Sequence, residues 1–251
     1  MPSNDKSVGD MPQVVILAGG LGTRLGDLTK QMPKSLIQVG NKPILSHILD
    51  WIDEQGCDRA LILTGHLGEQ FDDFSHHSIS LTFVREPEPL GTGGALWNAV
   101  DYLEDNFIML WGDDLHPIDY QKLLETHESG NNLMTMTVTK SHIENNLMYE
   151  NGFVIHYDKD TLQSNNNGYE AGTSIISKEL VMQHGKAGKW SWEKTVYPAM
   201  AGKIRAHMDD TKFWDMGTPE RFWEHFAITN GALDLEPITT GAHFVTNYWD
   251  D

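Results

Sequence analysis

The stretch "VVILAGGLGTRL", residues 14–25, sets the architecture of the chain. Val14, Val15, Ile16 and Leu17 form a continuous apolar run, the pattern of a strand buried on both faces, and Gly19 and Gly20 end it. A loop with a third glycine, a threonine and an arginine comes next. Gly19, Gly20 and Gly22 let backbone N–H groups come close to an anion, because no Cβ intervenes. The spacing is not G-x-G-x-x-G, and no Lys-Ser/Thr pair follows as in a P-loop. A tight turn would also use these glycines. Thr23, Arg24 and the downstream "PKSL" (33–36) favour a phosphate. Arg24 offers a planar fork for two phosphate oxygens. Lys34 follows Pro33, so its stem is aimed by the loop.

Along the chain, strands and helices alternate. Strands are expected at 13–18, 59–64 ("RALILT"), 79–84 ("ISLTFV") and 107–111 ("FIMLW"). Pro43 can open a helix whose residues Ile44, Leu45, Ile48, Leu49 and Ile52 share one face, and Gly56 supplies its stop. "GEQFDDF" reads as a short helix. Further helices are expected from Thr92 to Leu103 and in "PIDYQKLLETH", then a strand near 132–139. This alternation predicts an α/β fold: a mostly parallel sheet with helices on both faces. Ligands in such sheets lie beyond the carboxyl ends of the strands, where the glycine loop and "GDD" (112–114) both fall. After residue 140, "FVIHYDK", an Asn-rich turn (164–168) and "TSIIS" suggest shorter strands, a small β extension over the site. No hexapeptide repeat is present, so no β-helix domain is expected. Residues 1–12 read as a loose tail, 13–230 as one domain and 231–251 as a C-terminal tail.

The chain has 251 residues and a net charge of −18. An acidic chain of this kind disfavours nucleic acid as a partner. The charge is uneven: between Gly19 and Asn41 the acid Asp27 stands against Arg24, Lys30 and Lys34, with Lys42 next. A basic pocket in an acidic protein suits a small, highly charged anion. No apolar run approaches the ~18–20 residues of a membrane span, and the polar start lacks an apolar signal region. The lone cysteine, Cys57, excludes internal disulfides and fits a reducing, cytoplasmic setting as a small buried residue.

"WGDDL" ends a buried strand, so an aspartate emerges at the ligand edge of a pocket built for anions. A magnesium ion resolves that conflict, since carboxylate and phosphate oxygens can share it. The competing use is as a helix N-cap, a role that Asp114 fits better than Asp113. In "FWDMGTPERF" (213–222), Asp215 precedes Thr218-Pro219, an N-cap and first helical residue, at another strand-to-helix junction. Of the twelve histidines, His66 and His116 stand near strand ends.

"LAGGLGTRL", "PKSLIQVGNKPIL", "EPLGTGGAL", "WGDD" and "FWDMGTPERF", in this order and at these spacings, closely resemble the sugar-1-phosphate nucleotidylyltransferases. The resemblance runs from Val14 to Ile228 and is strongest to the short heptose 1-phosphate guanylyltransferases. It implies a Rossmann-like core and transfer of a nucleotidyl group from an NTP to a sugar 1-phosphate, with release of pyrophosphate and with Mg²⁺ as cofactor. It implies that Leu17, Gly19, Gly20, Gly22 and Thr23 line the triphosphate, with Gly91 and Thr92 under the nucleoside. Arg24 would hold the leaving pyrophosphate and Lys34 the phosphoryl group under attack. Asp113 and Asp215 would hold the metal. Lys159, Glu170 and Gly172 would meet the sugar phosphate, although this chain has Asp158-Lys159-Asp160 where the family usually has Glu-Lys-Pro.

The residue types agree with that chemistry. A sugar phosphate is already an anionic nucleophile, so positioning and charge neutralisation suffice. Glu86 lies five residues before the Gly91-Thr92 pair, where UTP- and dTTP-using relatives commonly carry glutamine. A carboxylate accepts two hydrogen bonds side by side, which suits the N1–H and N2 amino donors of guanine. GTP is therefore the expected donor. Rival readings are uridylyl or cytidylyl transfer, a non-catalytic nucleotide-sugar-binding relative, and a metal-dependent glycosyltransferase using "GDD". The tail residues Phe244, Tyr248 and Trp249 can dock on the body or on a second copy, which leaves a homo-oligomer open.

Overall fold

The computed structural model describes residues 11–23, 25, 29–140, 145–160 and 164–211, and the backbone of 214–215. Its frame is one nine-stranded sheet. The opening run forms β1 (Gln13–Leu17), parallel to β4 (Arg59–Thr64) on one side and to β6 (Asn106–Trp111) on the other. Beyond β4 lies β5 (Ser80–Arg85), also parallel. The chain thus builds outward from β1 to β5 and returns to lay β6 on the opposite side of β1. Between β1 and β6 the winding reverses, and a crevice opens there at the carboxyl ends of the strands.

Alternation along β1 explains why the run is apolar throughout. Val14 and Ile16 enter one core with α1 (Ile44–Glu54) and α3 (Tyr120–Glu128), whereas Val15 enters the other with α2 (Gly91–Asn98), α4 (Lys178–His184) and α5 (Trp192–Ala199). Helix α1 begins directly after Pro43, as the fixed φ of proline favours, and Gly56 follows its end at φ +81°. "GEQF" makes one 3₁₀ turn at Gly68–Phe71. The helix expected from Thr92 to Leu103 is shorter: α2 stops at Asn98, and Val100–Tyr102 form a separate 3₁₀ turn.

The strands after residue 140 continue the same sheet. From β6 outward come β11 (Tyr169–Ser177), β8 (Met134–Thr139), β12 (Ile204–Met208), β10 (Phe153–Tyr157) and β9 (Leu147–Glu150). β11 runs antiparallel to both β6 and β8, so the parallel half of the sheet ends at β6. The pairing of β11 with β8 slips between Glu170 and Ser174, where Gly172 takes φ +80°. Such an irregularity re-aims side chains, and here it falls on "YEAG". Two short ladders lie outside the main sheet: β2 (Gln38–Val39) with β3 (Lys42–Pro43), and β7 (Asp114–Leu115) with β13 (Trp214–Asp215). Among the described residues no helix is long and apolar enough to cross a membrane.

Candidate active site

A cavity of about 390 Å³ opens at the winding reversal. Leu17, Gly19, Gly20, Gly22, Thr23, Lys34, Glu86, Gly91, Thr92 and Asp113 all line it. Every nucleotide-side residue singled out from the sequence is therefore brought together here, apart from Arg24 and Asp215. Arg24 lies outside the described residues. The backbone of Asp215 is described and pairs with Asp114, one residue beyond Asp113; its side chain is outside the description.

The loop after β1 is bare because its neighbours press on it. A Cβ on Gly19 would stand 2.5 Å from Glu86 Oε1, and one on Gly22, at φ +59°, would meet the Thr29 side chain at 2.6 Å. Gly112 continues the β1–β6 pairing by donating to the Leu17 carbonyl at 3.0 Å. Lys34 opens a 3₁₀ turn (Lys34–Leu36) that Pro33 sets up, and its ammonium forms an ion pair with the Asp113 carboxylate. The two sites lie 79 residues apart in the chain. Ser35, beside Lys34, is buried, and its hydroxyl has no hydrogen-bond partner among the described residues although it lines the cavity. A donor left open in this way suits an oxyanion.

Neither aspartate of "GDD" caps a helix. Asp119 caps α3 by accepting from Lys122 N at 3.1 Å, and Asp114 is spent in the β7–β13 ladder. Asp113 is thereby left at the cavity edge, with its side chain partly exposed. Its oxygens are the donor type that magnesium takes. Elsewhere, ligand atoms of Asp50, His76 and His77 lie within 4.8 Å of one another. That cluster is closed: His76 Nδ1 accepts from Ile79 N, His76 Nε2 meets Asp50 Oδ1 at 2.9 Å, and the second Asp50 oxygen meets Lys42.

Glu86 stands where β5 gives way to α2. Its Oε2 accepts from Leu90 N at 2.9 Å, while Oε1 presses against Gly19 and Gly65. Burial pushes its carboxyl upward and the Leu90 N–H pulls it back. The glycines of "GTGG" serve packing as well as approach. A Cβ on Gly91, at φ +69°, would stand 2.6 Å from the Trp190 carbonyl, one on Gly93 would overlap the Trp190 ring, and one on Gly94 would overlap the Gly188 carbonyl. Segment 188–192 thus lies directly on the start of α2, and Trp192 N donates to Thr92 Oγ1 at 2.8 Å.

Lys159, Glu170 and Gly172 are not among the residues that line this cavity. They form a second group behind Trp111, whose side chain lines the cavity and hydrogen-bonds Glu170. Glu170 is buried and accepts from Gly172 N at 3.0 Å. Burial, then the nearby charge of Glu193, push its carboxyl up to about 7, against the pull of Lys159. A methyl on Gly172 would stand 3.2 Å from the Trp111 ring. Trp111, Lys189, Ser35 and Glu193 were not singled out from the sequence. Trp111 and Ser35 stood inside quoted motifs; Lys189 and Glu193 carry no local signal of a site. His116, buried below, is bonded to the Thr211 carbonyl and pushed down to about 4 by burial; His66 donates its N–H to the Gly19 carbonyl at 3.5 Å.

The sequence profile "nucleotidyl transferase" matches residues 13–164, which carry β1 to β10 and the cavity lining apart from Lys189. The chain belongs to the nucleotidyl transferase family. The D-glycero-alpha-D-manno-heptose 1-phosphate guanylyltransferase of Aneurinibacillus thermoaerophilus is 29% identical over 84% of this chain and 95% of its own. The catalytic subunit beta of mannose-1-phosphate guanylyltransferase from Drosophila pseudoobscura pseudoobscura is 32% identical over 88% of this chain and 63% of its own. Among solved structures, HddC from Yersinia pseudotuberculosis complexed with GMP-PN superposes with a TM-score of 0.71 at 29% identity, covering 85% of this chain and 97% of that one.

Proposed function

We propose that this nucleotidyltransferase transfers a guanylyl group from GTP to a sugar 1-phosphate, giving a GDP-sugar and pyrophosphate. The observation that carries the reading is the shared wall at Trp111: a donor cavity lined by Gly19, Gly20, Gly22 and Lys34 on one side, and the Lys159–Glu170 group on the other. Two substrates can then meet across the carboxyl ends of β1 and β6. The guanylyltransferase names of the relatives and the nucleotide in the Yersinia complex agree with it.

An oxygen of the sugar phosphate attacks the α-phosphorus of GTP. The new P–O bond forms as the bond from the α-phosphorus to the bridging oxygen breaks, and that electron pair leaves with pyrophosphate. No proton need move, because nucleophile and leaving group are both anions. The loop amides from Gly19 to Thr23, beside Leu17, hold the triphosphate. Lys34 and Arg24 neutralise charge that builds as pyrophosphate departs, and the Ser35 hydroxyl adds a donor. Glu86, with Gly91 and Thr92, receives the base and nucleoside. Lys159 takes the acceptor phosphate, and Glu170 and Gly172 the sugar. Asp113 and Asp215 are the residues that would hold Mg²⁺. When bound, the ion neutralises phosphate oxygens and so raises the electrophilicity of phosphorus. The catalytic domain in this reading is 13–230, and the single cysteine supports a cytoplasmic setting.

The test is pyrophosphate release from GTP and Mg²⁺ with mannose 1-phosphate or heptose 1-phosphate as acceptor. One pyrophosphate per GDP-sugar is expected. Nucleotide binding without release would make the chain a binding relative, and transfer from a ready-made nucleotide sugar would make it a glycosyltransferase.

A further inference from the structure

Segment 189–194 touches both halves of the site. Lys189 lines the donor cavity. Trp190 N donates to the Leu90 carbonyl at 2.9 Å, and the Trp190 carbonyl accepts from Gly93 N at 3.1 Å. Trp192 N donates to Thr92 Oγ1. The next residue, Glu193, turns the other way. It is buried in the first turn of α5, which Ser191 caps by accepting from Lys194 N at 3.3 Å. Its carboxylate forms an ion pair with Lys159. Beside it, Lys194 Nζ pairs with Asp160 Oδ2 at 2.6 Å. Lys159-Asp160 is therefore matched by Glu193-Lys194 with the charges reversed.

The Lys159 side chain is 53% exposed. A four-carbon stem in that position samples many rotamers unless something holds its end. Glu193 is at the fixed end of the pair: its side chain is 9% exposed and rides on a capped helix. The exposed Lys194–Asp160 pair, at 58% and 67%, is the kind that contributes little by itself.

We propose that Glu193 is a positioning residue: it fixes the Lys159 ammonium on the acceptor side and ties it, through Trp192 and Thr92, to the nucleotide loop. This rests on the assignment of Lys159 to the acceptor phosphate. Glu193 itself touches neither substrate. It acts by confining Lys159, so the acceptor meets a charge already in place.

The experiment compares Glu193→Gln, Glu193→Asp and Lys194→Ala with the unaltered protein, measuring kcat and KM separately for GTP and for the sugar 1-phosphate. Glu193→Gln keeps the shape and removes the charge. It should raise KM for the sugar phosphate roughly tenfold, the scale of one lost charge-assisted hydrogen bond, and leave KM for GTP within about twofold. Glu193→Asp should recover part of the loss. Lys194→Ala, which opens the exposed bridge only, should change neither KM. Equal effects of Glu193→Gln and Lys194→Ala, or a loss shared equally by both substrates, would make the pair a structural latch and overturn the proposal. An unchanged sugar-phosphate KM in folded Glu193→Gln would do the same. If the unaltered protein releases no pyrophosphate with any sugar 1-phosphate, the reading of the reaction fails instead, before any variant is compared.

Discussion

Replacing Glu86 by glutamine tests how the site chooses its base. The side chain is wedged: Oε2 accepts from Leu90 N at 2.9 Å, and Oε1 stands against Gly19 and Gly65. Glutamine has the same shape, but its amide oxygen must take over the bond from Leu90. The NH₂ group then occupies the place of Oε1. If Glu86 reads the base, a guanine edge that meets an acceptor in the native protein then meets a donor. A charge-assisted hydrogen bond contributes about 1.5–3 kcal/mol, which is roughly 10- to 100-fold in a ratio of rates. One carboxylate oxygen is already shared with Leu90, so the lower end applies. The ratio of kcat/KM for GTP to that for UTP should fall about tenfold in Glu86→Gln. The assay is pyrophosphate release at saturating sugar phosphate, with thermal unfolding as a check on the fold. A folded variant with an unchanged ratio would refute the carboxylate as the reader and leave selection to backbone groups.

Lys34→Ala and Arg24→Ala should lower kcat far more than they raise KM, because in the proposed reaction both charges meet charge that develops in the transition state; a change in KM alone would make the residue a binding group. Excess chelator, or Asp113→Asn or Asp215→Asn, should remove most activity while the thermal unfolding midpoint stays near that of the native protein; full turnover in chelator would refute a role for the metal. Glu170 gives a pH prediction. Its carboxyl titrates near 4.5 when unfolded and at about 7 in the fold, so the unfolded chain releases its proton first and the fold loses stability as pH rises through that window. The loss is on the order of 3 kcal/mol and is complete above pH 7. Glu170→Gln should therefore unfold later than the native protein at pH 8 and gain little at pH 5; equal differences at both pH values would contradict the buried, neutral carboxyl.

The parallel half of the sheet was legible because burial on both faces leaves a local mark. Val14 to Leu17 and "FIMLW" are continuous apolar runs, and the loop after each must lie at the ligand edge. Lys34 and Asp113 were each legible at that edge; their ion pair, between residues 79 apart in the chain, was not. The far half was less legible. The far strands β11, β8, β12, β10 and β9 are joined to the same sheet by register, and register depends on partners distant in sequence. Glu193 illustrates the same limit: in "SWEK" it reads as a helix-start acid, and its partner Lys159 is 34 residues away. The N-cap reading of Asp114 failed because Asp119, five residues on, competes for the same helix and lies one residue before it.

The most direct measurement is a competition: equal concentrations of GTP, ATP, CTP and UTP with Mg²⁺ and one sugar 1-phosphate at a time, with products resolved by mass spectrometry. The account predicts a GDP-sugar as the main product, with pyrophosphate equal to it in amount, from at least one of the sugar 1-phosphates supplied. A predominant UDP- or CDP-sugar, or nucleotide consumption without any nucleotide sugar, would contradict it.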